Sequence, residues 1–121
     1  MLSLDHVQVA IPAACEEQAR AFYGELLGLV EAEKPPRLAA RGGVWFRVGA
    51  LELHLGVEQP FAPARKAHPA FRLDDPGSLA VLAARLEAAG AAVTWADPAE
   101  IPGRQRFHVS DPFGNRLEFL A

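Results

Sequence analysis

Polar and apolar positions alternate along residues 4–11. Val7, Val9 and Ile11 fall on one face and His6, Gln8 and Ala10 on the other, the period of a half-buried strand. Pro12 ends it. From Cys15 to Leu27 the period lengthens: Cys15, Ala19, Phe22, Tyr23 and Leu26 follow helical spacing, and Glu16 and Glu17 occupy the first turn, where they complement the helix dipole. Gly28 supplies the stop, since it takes the left-handed conformation at little steric cost. A Pro-containing connector, 34–38, leads into two short strands, GVWFRVG and LELHLGV, which turn near Gly49 and Ala50.

The Pro-rich stretch EQPFAPARKAHPAF marks a seam, and beyond it the pattern starts again. HPAFRL predicts a strand. Residues 78–89 predict a helix with Ser78 as N-cap and Leu79, Leu82, Leu86 and Ala89 as its apolar stripe, closed by Gly90. Three strands follow, AAVTWA, QRFHVS and RLEFLA, the last two joined by a DPFGN turn. The chain therefore reads as one α+β domain over 1–121, built from two tandem β-α-β-β-β modules. Module one covers about 1–57, a linker about 58–66, and module two about 67–121.

The two modules share more than element order. Gly28 follows His6 by 22 positions, Gly90 follows His68 by 22, and the second copy is offset by 62. Each copy ends in a strand bearing a glutamate, Glu52 in the first and Glu118 in the second. Two imidazoles and two carboxylates at matching places in a duplicated unit point to a metal site built by pseudo-symmetry. Strand parity supports convergence. With the apolar neighbours turned toward the helices, the opposite face collects His6, Gln8, Glu52, His54, His68, Arg72, Arg106, His108, Arg116 and Glu118, including all 4 histidines of the chain.

Composition narrows the classes. A chain of 121 residues, half of them hydrophobic, can bury a core without a disulfide or structural metal. A formal charge of -3 gives no reason to expect nucleic acid. A single cysteine, Cys15, excludes an internal disulfide, and no apolar run is long enough to cross a bilayer, so cytoplasmic residence with no membrane partner is the expectation.

The phrases LDHVQVAIP, RAFYGELLGL, GALELHL, HPAFRLDD and DPFGNRLEFL, spread over essentially the whole chain, resemble the vicinal oxygen chelate superfamily. That group includes glyoxalase I, fosfomycin-resistance thiol transferases, extradiol dioxygenases, methylmalonyl-CoA epimerase and the metal-free bleomycin-binding proteins. The resemblance implies a glyoxalase-like fold, in which the modules form an open, mixed, curved sheet around a central pocket. It also implies a homodimer, and a divalent metal (zinc, nickel, manganese or iron) on His6, Glu52, His68 and Glu118. In the thiol-transferase and dioxygenase branches, His6, His68 and Glu118 alone are implied as ligands. A glyoxalase-like lyase or isomerase acting on a small oxygen-bearing substrate is the expected function, with Glu52 and Glu118 as the candidate catalytic bases. The alternatives are an extradiol-type dioxygenase or thiol transferase with two histidines and one glutamate, and a metal-free small-molecule binder.

Other polar groups on the same face are candidates for substrate contact. His108 occupies a strand position that resembles one used for this in the superfamily. His54 reads equally as a packed imidazole. Arg72, Arg106 and Arg116 suit a substrate carboxylate or phosphate, though a salt bridge or open solvent is the readier reading of each one. Trp45 reads as pocket wall or core. Cys15 falls on the apolar stripe of the first helix and reads as buried packing, and Arg65 and Lys66 read as solvated loop charges.

Overall fold

In the computed structural model, which describes residues 1–121, each half of the repeat builds its own four-stranded mixed sheet. The halves form two compact units, Met1–Pro63 and Ala64–Ala121.

In the first unit β1 is His6–Ile11, β2 Val30–Ala32, β3 Val44–Val48 and β4 Leu51–Val57, in the order β1-β4-β3-β2. β1 runs parallel to β4, and the other pairs are antiparallel. The parity read from sequence holds. His6 is opposite Glu52, Gln8 opposite His54, Trp45 opposite His54 and Arg47 opposite Glu52, so these side chains share one face. The other face is the core: Ile11, Val44, Phe46, Leu53 and Leu55 are buried, together with Ala19, Phe22 and Tyr23 from the helix.

That helix begins as α1, Glu16–Ala19, and continues as a π-helix over Arg20–Leu26. The wider turn sets Phe22 and Tyr23 edge to face, centroids 5.0 Å apart, and both are buried. Apolar spacing alone could not separate this from a regular α-helix. Cys15 departs from its expected burial. It lies just before α1, half-exposed, with its thiol near the Ala13 carbonyl at 3.4 Å.

Two elements of this unit were invisible in the sequence. β2 is a three-residue edge strand whose Val30 and Glu31 are exposed, too short to display a period. The connector read as a loop contains a helical turn, α2, Pro36–Ala39. The chain then returns to β3 through Gly43 at φ +87, where an added Cβ would lie 2.2 Å from the Leu55 carbonyl oxygen. Gly43→Ala is therefore expected to destabilise the protein by at least about 1–3 kcal/mol, the usual cost of a strained backbone position, before the clash is relieved. Urea unfolding measures this; an unchanged midpoint would contradict it.

In the second unit β5 is Ala70–Arg72, α3 Pro76–Ala88, β6 Thr94–Trp95, β7 Arg106–Ser110 and β8 Arg116–Leu120. The order β5-β8-β7-β6 repeats that of the first sheet, with β5 parallel to β8. β5 is shorter than the HPAFRL strand expected, because Pro69 has no N–H to donate to a ladder; its carbonyl still accepts from the Glu118 N–H at 3.1 Å. The cap of α3 is Asp75, not Ser78. The Asp75 carboxylate accepts from the Ser78 N–H at 2.7 Å, and the helix starts earlier with Pro76 in its first turn, a position that needs no N–H. Its buried stripe is Leu79, Ala83 and Leu86, with Leu82 half-buried and Ala89 exposed. α3 packs on β8, and the buried Phe107, Val109, Leu117 and Phe119 complete the core of this unit.

No helix is long and apolar enough to cross a membrane.

Candidate metal centre

The β7–β8 hairpin places the most concentrated chemistry in the chain. In its DPFGN turn the buried Asp111 accepts from the backbone N–H groups of Phe113 and Asn115 at 2.9 and 2.8 Å, and the Asn115 amide donates to its other oxygen at 2.9 Å. This turn sets the register, so His108 lies directly across from Glu118. The Pro69–Glu118 backbone bond then brings the chain just before β5 alongside, and with it His68.

The result is a cluster in which one ligand atom each from His68, His108 and Glu118 lies within 4.8 Å of the others. Glu118 Oε1 is 2.8 Å from His108 Nε2 and 3.2 Å from His68 Nε2. Its other oxygen accepts from Arg106 Nε at 3.1 Å, and Arg106 Nη1 lies 3.6 Å from Glu100. Arg106 is thus engaged in holding the carboxylate rather than standing open for a substrate anion.

Burial opposes ionisation of Glu118, but hydrogen bonds from Arg106, His68 and His108 outweigh it and hold the carboxyl down from 4.5 to about 2. A carboxyl lowered on folding contributes stability that is fully present above its unfolded value and is lost as pH falls toward its folded one. In metal-free protein, unfolding free energy is therefore expected to decline between pH 4.5 and about 2 through this group. Glu118→Gln should flatten that part of the profile in acid urea titrations; a variant profile as steep as the parent's would contradict the assignment.

His68 carries a further detail. Its Nδ1 lies 2.9 Å from the Lys66 carbonyl oxygen, which can only accept, so Nδ1 bears the proton. In a neutral ring the lone pair is then on Nε2, the atom facing Glu118 Oε1. With a proton on Nε2 the ring donates to Glu118; without one, the same lone pair is what a divalent cation would take. A carbonyl fixing the tautomer behind an imidazole, with carboxylate and second imidazole in front, is a donor set that fits a divalent cation. Sequence reasoning had no signal for Lys66, because its backbone acts here and its exposed ammonium does not.

In the first unit His6, His54 and Glu52 also assemble, in a different way. His6 Nδ1 donates to Asp5 at 2.8 Å, which leaves Nε2 as its acceptor atom, the same tautomeric logic as in His68. His54 is buried at 6% exposure in a stack of rings, 3.8 Å from Trp45 and 4.2 Å from His6. Its Nε2 donates to Glu52 at 2.9 Å. His54 is thus neither loose packing nor open to solvent. The duplication is also imperfect in register: Glu52 faces His6, whereas Glu118 faces Ala70, two positions beyond His68.

The remaining candidates are placed as follows. Arg116, His108, Thr94 and Ser110 line a cavity of about 350 Å³ in the second unit. Arg72 is exposed and shares the face of Glu118 by register. Trp45 lines a cavity of the first unit.

The sequence model of the Glyoxalase/Bleomycin resistance protein/Dioxygenase superfamily matches residues 3–119. The chain belongs to that superfamily. Its glyoxalase-like fold is shared with a protein from Bacillus anthracis assigned to the glyoxalase family, at 50% identity, over 99% of this chain and 94% of that one, with a TM-score of 0.89. The fold is also that of lactoylglutathione lyase from Agrobacterium tumefaciens (22% identity, 99% and 93% covered, TM-score 0.75). It recurs in FosX, a fosfomycin resistance protein from Listeria monocytogenes (14% identity, 100% and 91% covered, TM-score 0.75). No curated protein matches the chain. Across the superfamily the fold hosts unlike chemistries, so membership narrows the activity without naming it.

Proposed function

We propose that this chain is a glyoxalase-like, metal-dependent enzyme of the lyase or isomerase type, with a divalent cation held by His68, His108 and Glu118. The observation that carries the reading is the cluster of these three donors, with the His68 tautomer locked from behind by Lys66. Bound there, zinc, nickel, manganese or iron supplies a Lewis acid for adjacent oxygens of a small substrate. Arg106 keeps Glu118 ionised, and the cavity beside His108 and Arg116 offers the substrate a place next to the donors.

The two candidate bases are Glu118, held by Arg106, and Glu52, which accepts from His54 and is the more exposed. His6 and Glu52, also implied as ligands by the resemblance, are read by the same metal titration. Weaker binding in His6→Ala or Glu52→Gln assigns them to the set, and an unchanged isotherm leaves the metal to the other three. The homodimer implied by the resemblance belongs to this reading too, and sedimentation at twice the chain mass tests it.

A second reading rests on the make-up of the cluster, since two histidines and one carboxylate are the donor set of non-haem iron(II) oxygenases. Chelator-stripped protein, reloaded with each metal and assayed on hemithioacetals, acyl-CoA epimers, thiol–epoxide pairs and catechols, separates the two. Metal-restored turnover of a hemithioacetal or epimer supports the first. Iron(II)-dependent cleavage of a catechol moves the assignment to the second. Metal-independent capture of an unaltered ligand, without turnover on any of them, overturns both.

A further inference from the structure

His54 is the only imidazole that the fold buries. Enclosing a polar ring costs free energy that an apolar side chain at the same place would not. The second unit shows the apolar solution: two residues beyond Glu118, where the repeat would put the counterpart of His54, stands the buried Leu120. The first unit keeps a ring with a polar edge, and its surroundings show what that edge does.

β1 and β3 flank β4, and each sends a ring against the imidazole. Trp45, directly opposite in the register, stacks on one face at 3.8 Å and 2° from parallel, and His6 covers the other at 4.2 Å and 16°. His6 comes in from a diagonal position. Gln8, the direct partner on that side, has its amide over Gly56, where an added Cβ would lie 2.9 Å from Gln8 Cδ. A ring held on both faces cannot turn about χ2, so the Nε2–H of His54 has one direction, toward Glu52 Oε1 at 2.9 Å.

Glu52 has no other side-chain partner. Arg47 stands opposite it in the register yet makes no ion pair with it, and Oε2 accepts no bond within the chain. Glu118, by contrast, is held by three side chains. The orientation of the Glu52 carboxylate thus rests on a single donor.

We propose that His54 is a positioning residue, which holds one oxygen of Glu52 and so aims the other at what binds on this face of the sheet. The proposal rests on the reading of Glu52 as a base or a metal ligand, and it gives His54 no contact with substrate.

Three variants separate the bond from the packing. His54→Phe keeps a stacked ring and removes the donor, His54→Gln keeps a donor and removes the ring, and Glu52→Gln removes the carboxylate. In metal-free protein, three-bond couplings from Glu52 Cγ to the backbone nitrogen and carbonyl carbon report its χ1. One rotamer is expected in the parent, averaging in His54→Phe, and one rotamer again in His54→Gln. Zinc titrations and assays on the substrate panel then read the consequence. Whichever of zinc affinity and kcat Glu52→Gln lowers should fall in His54→Phe as well, by about 10–100-fold for affinity, or at least about tenfold for kcat with KM unchanged. Added to Glu52→Gln, His54→Phe should cost no more than about a further twofold, because its effect passes through that carboxylate. A single Glu52 rotamer in His54→Phe, additive losses in the double variant, or a Glu52→Gln variant that matches a zinc-binding parent in both measurements would each overturn the proposal. A parent that binds no zinc and turns over no substrate overturns the metal reading instead, and the couplings then decide for or against His54 by themselves.

Discussion

Replacing His68 by alanine is expected to weaken divalent-metal binding at least about 100-fold, and Glu118→Ala to do the same. Loss of a group that merely supports a ligand already costs 10–100-fold in affinity, and these two side chains are donors themselves. The substitutions fail for different reasons. His68→Ala removes the one imidazole whose tautomer is fixed by the chain, at Lys66. Glu118→Ala removes the only carboxylate of the cluster and leaves Arg106 without its nearest anion, so the site becomes net positive. Calorimetric titration of stripped protein with zinc measures both effects, with circular dichroism verifying the fold. Isotherms matching the parent's would remove these residues from the ligand set.

The second large effect is structural. Phe107 is fully buried, 5.2 Å from Phe119 in a near-parallel stack and 5.2 Å edge-on from Trp95. Truncation to alanine deletes a ring from a close-packed layer that cannot collapse around the void, at a cost of about 3–5 kcal/mol. Domains of this size have roughly 5–15 kcal/mol in total, so the variant should unfold at a much lower urea midpoint. Because Phe107 adjoins His108 on the strand that positions it opposite Glu118, metal affinity should fall along with stability. A loss under about 1 kcal/mol would contradict the packing described here.

The fold was legible because strand parity and glycine stops state themselves in the sequence. Val7, Val9 and Ile11 against His6 and Gln8, or Phe107 and Val109 against His108, determine which way each strand faces, and the registers agree. Gly28 and Gly90 terminate their helices with φ of +79 and +91. What escaped lacks a period: β2 has three residues, α2 four, and the π-helical turns bury the same apolar residues an α-helix would. Pro69 shortens β5 and Asp75 caps α3 through single local bonds that spacing does not predict.

The candidate site was legible in its residue types but less so in its pairings. The parity argument gathered His68, His108 and Glu118 on one face, and the structure brings them together. It gave His108 a substrate role, whereas its Nε2 lies 2.8 Å from Glu118 Oε1, close enough to share a cation. Arg106, read as a substrate anchor or a salt-bridge partner, is paired with Glu118, because the two face one another diagonally across the hairpin. Rotamer choices of this kind are set by neighbours in space, and the sequence lists neighbours only along the chain.

Anomalous diffraction at the zinc edge, from crystals of chelator-free protein grown with stoichiometric zinc, tests the central claim most directly. The account predicts a peak about 2.0–2.2 Å from His68 Nε2, from His108 Nε2 and from a carboxylate oxygen of Glu118, with His68 Nδ1 still donating to the Lys66 carbonyl. Zinc bound elsewhere, with those three side chains still joined directly to one another, would contradict it.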